Sequence, residues 1–275
     1  MNPDVSDKGA YMRRMTAVLI RILLTAAMVI LAGCGNGKPA VSDRKIGIIG
    51  AMDEEVRSLK EAMKVTKKTE IAQMEFCEGT LEGQKAVVVK CGVGKVNAGI
   101  CVHTLIHEFG CTEIINTGIA GSLDEEIDIC DIVVSTDAVQ HDFDVSPVGF
   151  QKGEIPYTGL AAFPADESLR AMAVKAVQES TEDTKVFEGR VCSGDQFISS
   201  DAQKEKILSE FGGMCCEMEG AAIAQACWLS STPFVIIRCI SDKPGGGEEV
   251  TDYPLFEAQA AEKCAAVIHA MIRGQ

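Results

Sequence analysis

With 275 residues, 47% of them hydrophobic, the chain has material for one large buried core and too little length for two comfortable domains. Its 40 acidic and 26 basic residues give a formal net charge of −14. No basic face is visible with which to neutralise phosphates, which excludes a nucleic-acid binder and points to a small ligand that is not strongly anionic.

The first segment reads as an export signal. Arg13, Arg14 and Arg21 precede an apolar run from Ile22 to Leu31, too short to span a bilayer and suited to a signal core. The run ends in Leu31-Ala32-Gly33-Cys34, which resembles the lipobox of bacterial lipoproteins. The expectation is a signal peptide over 1–33, a lipidated Cys34 opening a polar Gly/Pro-containing tether over 34–43, and a catalytic domain over 44–275. That places the protein on the outer face of a membrane. The alternative is a cytoplasmic protein with a mis-assigned start, Met12 being a plausible one. The cysteines favour that alternative: 12 are present, no CxxC occurs, and the odd number after Cys34 does not form a disulfide framework. Buried reduced thiols acting as small hydrophobes are expected.

Past the tether, Lys45–Ile49 is an apolar run ending in Gly50, a buried first strand. Asp53 and Glu54 open a helix through Met63. Met74–Leu81 and Lys85–Cys91 alternate around Glu82-Gly83-Gln84 and read as a hairpin. Lys95–Phe109 is helical, Glu113–Thr117 a strand followed by a Gly loop, and Asp131–Asp137 another strand. Ala138–Ala165 is long and irregular, which suggests a functional segment. Asp166–Ser180 is helical, Val186–Ser193 a strand, Gly220–Ser230 a helix, Phe234–Ser241 a strand and Tyr253–Ile272 the closing helix. Alternating strands and helices predict a single-domain α/β fold, a mixed, mostly parallel sheet flanked by helices. Ligands in such sheets collect beyond the carboxyl ends of the strands, where the glycines and polar residues of this sequence fall.

Several motifs invite specific chemistry and fail its templates. Gly92-Val93-Gly94-Lys95 lacks the spacing of a Walker loop and the third glycine of a dinucleotide fingerprint, leaving a tight turn near some ligand. His103 and His107 stand i, i+4, but Thr104 occupies the place of the zinc-protease glutamate and no third ligand offers itself. His141-Asp142-Phe143-Asp144 matches no metal spacing and reads as a polar loop. No metal and no cofactor is expected.

The carboxylates are more informative together than singly. Glu55, Glu217, Glu219 and Asp242 each have an ordinary reading as a helix-dipole acid, a solvated side chain or a strand-end cap. Gathered at strand ends, they supply what glycosidic cleavage requires, one group to protonate the leaving group and one to activate water.

Six segments then carry a resemblance: Ile46–Val56, Lys90–Val96, Ile115–Gly118, Ser193–Ile198, Glu217–Glu219 and Arg238–Asp242. In order and spacing they resemble the methylthioadenosine/S-adenosylhomocysteine nucleosidases of the purine nucleoside phosphorylase superfamily, from about residue 45 to the C-terminus. The resemblance implies a nucleoside phosphorylase-like fold and hydrolysis of the N-glycosidic bond of an adenine nucleoside. It implies that Glu55 activates water, that Asp242 protonates adenine N7, and that burial raises the Asp242 pKa for this purpose. Glu219 would grip the ribose hydroxyls above Met218. Phe197 would stack on adenine and Ile198 would meet the base edge. Arg238, Ser241 and Glu217 would support the site, Met52 and Val93 would touch the ribose or alkylthio region, and Ile119 would lie near the water. Ile119 stands where some members carry Ser, and Cys91 also replaces a Ser. The loop holding Val148 and Phe150 resembles the family's cross-subunit loop, which implies a homodimer. A related futalosine hydrolase, a nucleoside phosphorylase and a non-enzymatic nucleoside-binding lipoprotein are the alternatives. Among the nucleosidase substrates, methylthioadenosine, S-adenosylhomocysteine and 5′-deoxyadenosine are not ranked by sequence.

Overall fold

The computed structural model describes residues 44–180, 184–244 and 249–274. The signal peptide, Cys34 and the tether lie outside the described residues. The first strand, β1 (Ile46–Gly50), is buried along its whole length, as a continuous apolar run in the middle of a sheet must be. Helix α1 (Asp53–Ala62) follows, its positive end met by Asp53, Glu54 and Glu55. Strand β2 (Lys64–Ile71) was not predicted, because its charged, mostly exposed sequence carries no apolar alternation. It pairs antiparallel with β3 (Met74–Leu81), and its lysines suit a sheet edge. β3 joins β4 (Gln84–Lys90) through Glu82 and Gly83, both at positive φ, the backbone that a two-residue hairpin turn needs.

Helix α2 (Lys95–His107) leads to β5 (Glu113–Ser122), all ten residues of which are buried. The sequence suggested that this strand stops at Thr117. Instead Gly118-Ile119-Ala120-Gly121 continues it, because β10 (Phe234–Asp242) and β9 (Cys215–Glu217) supply backbone partners along that stretch. The region read as irregular from Ala138 to Ala165 contains the end of β6 (Ile132–Gln140), a 3-10 turn at Ser146–Val148 and β7 (Ala162–Pro164). Helix α3 (Glu167–Ser180) and strand β8 (Val186–Ser193) come next. Helix α4 (Asp201–Phe211) was also unanticipated; the Ser200 hydroxyl caps its start, and Gly212 ends it at a φ of 66°. Helices α5 (Gly220–Leu229) and α6 (Glu249–Arg273) complete the chain.

The sheet is mixed. β4, β1, β5 and β10 run parallel at its centre, and β2–β3–β4 form an antiparallel edge. On the other side β10 pairs antiparallel with β6, β6 and β8 run parallel, and β8 pairs with β9. β9 returns to β5 through Gly121 and Ser122, so five strands close into a ring around the end of β5. Two large apolar clusters cover the faces of the sheet. The described cysteines are all unpaired and, except for the half-buried Cys130, buried in this core. Among the described residues no helix is long and apolar enough to cross a membrane.

Candidate active site

The ring brings distant strand ends to one cleft. Met52 and Glu55 come from the start of α1, Val93 from the turn before α2, and Ile119 from the extended half of β5. Phe197 and Ile198 follow β8, Glu217 to Glu219 bridge β9 and α5, and Ser241 and Asp242 end β10. Ala51, Ala120, Gly121, Gln196 and Cys216 also line the cleft and were not singled out in the sequence, since each is unremarkable outside its neighbours' context. Arg238 lies behind this wall, 2% exposed. No lysine or arginine lines the cleft among the described residues. Nor do they include a group of three or more His, Cys, Asp and Glu placed to hold a metal ion. His103 and His107 pack against one another with their rings tilted by 42°, centroids 4.4 Å apart.

Three backbone N–H groups hold Glu55. One carboxylate oxygen accepts from Ala51 N at 2.5 Å and from Met52 N at 3.0 Å, reaching back to the start of its own helix. The other accepts from Ile119 N at 3.1 Å on β5. The first-turn acid therefore serves the helix and faces the cleft at once. Gly118 makes room for it: a Cβ there would stand 2.6 Å from the Glu55 carboxylate oxygen. Burial raises the Glu55 pKa above its ordinary value, against the Arg238 charge and the three N–H donors. A carboxylate so placed is a stronger base than one in water.

Behind Glu55 stands a buried polar network. Arg238 donates through Nη2 to Glu217 at 2.5 Å and to Asn116 Oδ1 at 2.6 Å. Asn116 in turn donates to Ile49 O at 3.0 Å, tying β10 and β5 to β1. Glu217 also accepts from the Ser193 hydroxyl and from the backbone N–H groups of Glu219 and Gly220. Burial works against the Arg238 charge, but Glu217, Glu55 and Glu219 outweigh it and hold the guanidinium protonated. The roles of Asn116 and Ser193 were not assigned from sequence, although both sit in the quoted motifs; only their partners reveal them.

Glu219 begins α5 and accepts from Gly94 N at 2.7 Å. Burial, and then the negative Glu217 beside it, push its pKa up to about 8. Asp242 is 3% exposed, and the Ser241 hydroxyl donates to its Oδ1 at 2.7 Å. Met218 lies between Glu217 and Glu219 on the cleft wall, and the Phe197 ring stands at the mouth, 48% exposed. Cys91 is not in the cleft; its thiol donates to Gly92 O at 3.1 Å in the neighbouring turn.

The arrangement sets two carboxyl groups, Glu55 and Asp242, into a cleft that also presents Glu217, Glu219 and an aromatic ring. A family model described as the phosphorylase superfamily matches residues 45–273. The chain is 39% identical over 241 residues to a 5′-methylthioadenosine/S-adenosylhomocysteine nucleosidase from Treponema pallidum, covering 80% of this chain and 89% of that protein. The crystal structure of the nucleosidase of that name from Neisseria meningitidis, in complex with methylthio-immucillin-A, superposes with a TM-score of 0.81 at 33% identity, over 84% of this chain and all of the other. Futalosine hydrolase of Helicobacter pylori superposes with a TM-score of 0.80 at 31% identity, over 86% of this chain and all of the other. By sequence and by fold, the chain belongs to the phosphorylase superfamily and, within it, to the 5′-methylthioadenosine/S-adenosylhomocysteine nucleosidases.

Proposed function

We propose that the protein hydrolyses the N-glycosidic bond of 5′-methylthioadenosine and S-adenosylhomocysteine, releasing adenine. The observation that carries this reading is the pair of buried carboxyl groups, Glu55 and Asp242, in one cleft that no lysine or arginine lines among the described residues. Water held at Glu55 attacks C1′ as the C1′–N9 bond breaks, and Glu55 takes the proton that the water gives up. The bonding electrons flow into the purine, and Asp242 delivers a proton to N7, so adenine leaves neutral. Asp242 must carry that proton before the step. Glu219 accepts the ribose hydroxyls, Met218 packs beneath the sugar, Phe197 stacks on the base, and Ile198 meets its edge. Met52, Val93 and Ile119 line the sugar and alkylthio side, while Glu217, Arg238 and Ser241 hold the reacting groups. No cofactor enters this chemistry.

The chemistry is hydrolysis and not phosphorolysis because a phosphate nucleophile requires a cationic cradle. Lys90 and Arg57 stand near the first loop but are engaged outside the cleft, by Asp53 at 2.8 Å and Glu54 at 2.8 Å. Purified protein should release free adenine from methylthioadenosine at the same rate with and without phosphate. Strict phosphate dependence, with ribose 1-phosphate as product, sinks the reading. Assaying futalosine beside methylthioadenosine, S-adenosylhomocysteine and 5′-deoxyadenosine tests the second reading, a futalosine hydrolase, which the Helicobacter pylori structure favours.

We further propose a homodimer anchored to the membrane through lipidated Cys34. In support of the dimer, Val93, Val96 and Ile100 expose apolar surface beside the cleft mouth. In support of the anchor stand Arg13, Arg14 and the Leu31–Cys34 box, since a diacylated and further acylated cysteine anchors stably where a single chain is marginal. Wild-type protein should fractionate with membranes, Cys34→Ala should be soluble, and both should have twice the chain mass by light scattering. Recovery of both forms from the soluble fraction removes the anchor; a fully active monomer removes the dimer.

A further inference from the structure

Two motifs that match no metal or phosphate template, Gly92–Lys95 and His141–Asp144, meet in the structure. The turn into α2 offers two consecutive backbone donors. Gly94 N is taken by Glu219 at 2.7 Å, and Lys95 N is taken by the Asp195 carboxylate at 2.9 Å. Asp142 closes the arrangement from the end of β6. One of its oxygens accepts the Lys95 ammonium at 2.6 Å, and the other accepts Asp195 N at 2.9 Å. The geometry is tight at both glycines involved. Gly94 has a φ of 100°, and a Cβ on it would stand 3.2 Å from the Asp195 carboxylate. A Cβ on Gly194 would stand 3.1 Å from the Asp142 carboxyl carbon and closer still to the His141 ring. The Lys95 and Asp142 side chains are 18% and 16% exposed, so water competes weakly for this pair.

We propose that Lys95 and Asp142 are positioning residues that lock the loop carrying Phe197 and Ile198 onto the same turn that holds Glu219. The sugar carboxylate and the base-stacking loop then have one anchor, and the spacing between base and ribose contacts is fixed before the nucleoside enters. A substrate is bound through both ends at once, so loosening the loop should weaken binding more than it slows the chemical step. This role rests on the adenine-nucleoside reading of the cleft. It also explains why Asp142 keeps its charge: burial disfavours the carboxylate, but Lys95 and the Asp195 N–H outweigh burial and hold its pKa below the ordinary value.

The test compares full-length wild type with Asp142→Ala, Asp142→Asn and Lys95→Met. For Asp142→Ala and Lys95→Met the KM for methylthioadenosine and the Kd for adenine should rise about tenfold or more, the order that loss of a charge-assisted hydrogen bond gives, with kcat changed less. Asp142→Asn keeps an acceptor for Asp195 N and should recover part of the affinity. Hydrogen exchange in the free proteins supplies a readout that needs no turnover: amides of 193–198 and of 92–96 should lose protection together in Asp142→Ala. Unchanged exchange over 193–198, or equal losses in kcat and KM performance with no rescue by Asn, overturns the proposal. A wild type that exchanges as expected but releases no adenine leaves the clamp standing and removes the substrate reading instead.

Discussion

Glu55→Gln should retain adenine binding and lower kcat by about 10²–10⁴-fold, the contribution of a positioned general base. The substitution preserves shape but not the hydrogen-bond inventory. Both Glu55 oxygens accept backbone N–H donors, from Ala51 and Met52 on one side and from Ile119 on the other. A glutamine has one oxygen, so its amide group must face an N–H that it cannot accept, at a cost of about 1–3 kcal/mol. The variant should therefore show a lower Tm as well as a lower kcat, and the two losses separate by measuring adenine affinity at a temperature where the variant is fully folded. Asp242→Asn should lose turnover more steeply. The asparagine oxygen still accepts from Ser241, so the wall should keep its shape, but no proton reaches the leaving base. Retention of kcat within a few-fold of wild type in either variant removes that residue from its assigned role.

How much of this was legible beforehand depends on whether a residue's partners are near in sequence. β1 and the β3–β4 hairpin were readable because apolar runs and turn residues encode them locally. The second half of β5 was not: Gly118-Ile119-Ala120-Gly121 looks like a loop, and only pairing with β10 and β9 makes it strand. β2 escaped because an exposed edge strand needs no apolar face, and α4 because its cap and C-terminal glycine sit in a polar stretch with weak periodicity. The same division holds in the cleft. Glu55, Glu219 and Asp242 stood out together as carboxylates at strand ends, and the family resemblance supplied their separate roles. Singly, Glu217 and Glu219 had the ordinary reading of solvated acids, and both are buried. Their burial follows from Arg238 and from the Gly94 and Gly220 N–H groups, which come from three different elements. A charged residue with long-range partners looks the same in sequence as one with none.

Stability should fall as pH rises from 5 to 9, and Glu219 should be the main cause. In the folded chain its pKa is about 8, against an ordinary value of 4.5. The folded state therefore binds the Glu219 proton more tightly than the unfolded state does. A group raised in this way contributes its full stability below the unfolded pKa and loses it progressively as pH climbs through the folded one. Glu55, also raised by burial, adds in the same direction. Asp53 and Asp142 are lowered and act oppositely, but their loss sets in only on the acid side of this window; His141 and Cys130, also lowered, oppose the decline inside it, so the Glu219 contribution is read as the difference between wild type and variant. The physical source is first the burial of Glu219 and then the negative Glu217 beside it, which the Arg238 guanidinium only partly offsets. Glu219→Gln removes the titration while keeping an oxygen for Gly94 N. Its Tm should decline less steeply from pH 5 to 9 than that of the wild type, Glu55 still titrating in it, and it should handle nucleosides lacking the ribose 2′ and 3′ hydroxyls no worse than the wild type does. Parallel Tm–pH curves for the two proteins would place the proton elsewhere and take Glu219 out of the balance that holds the cleft together.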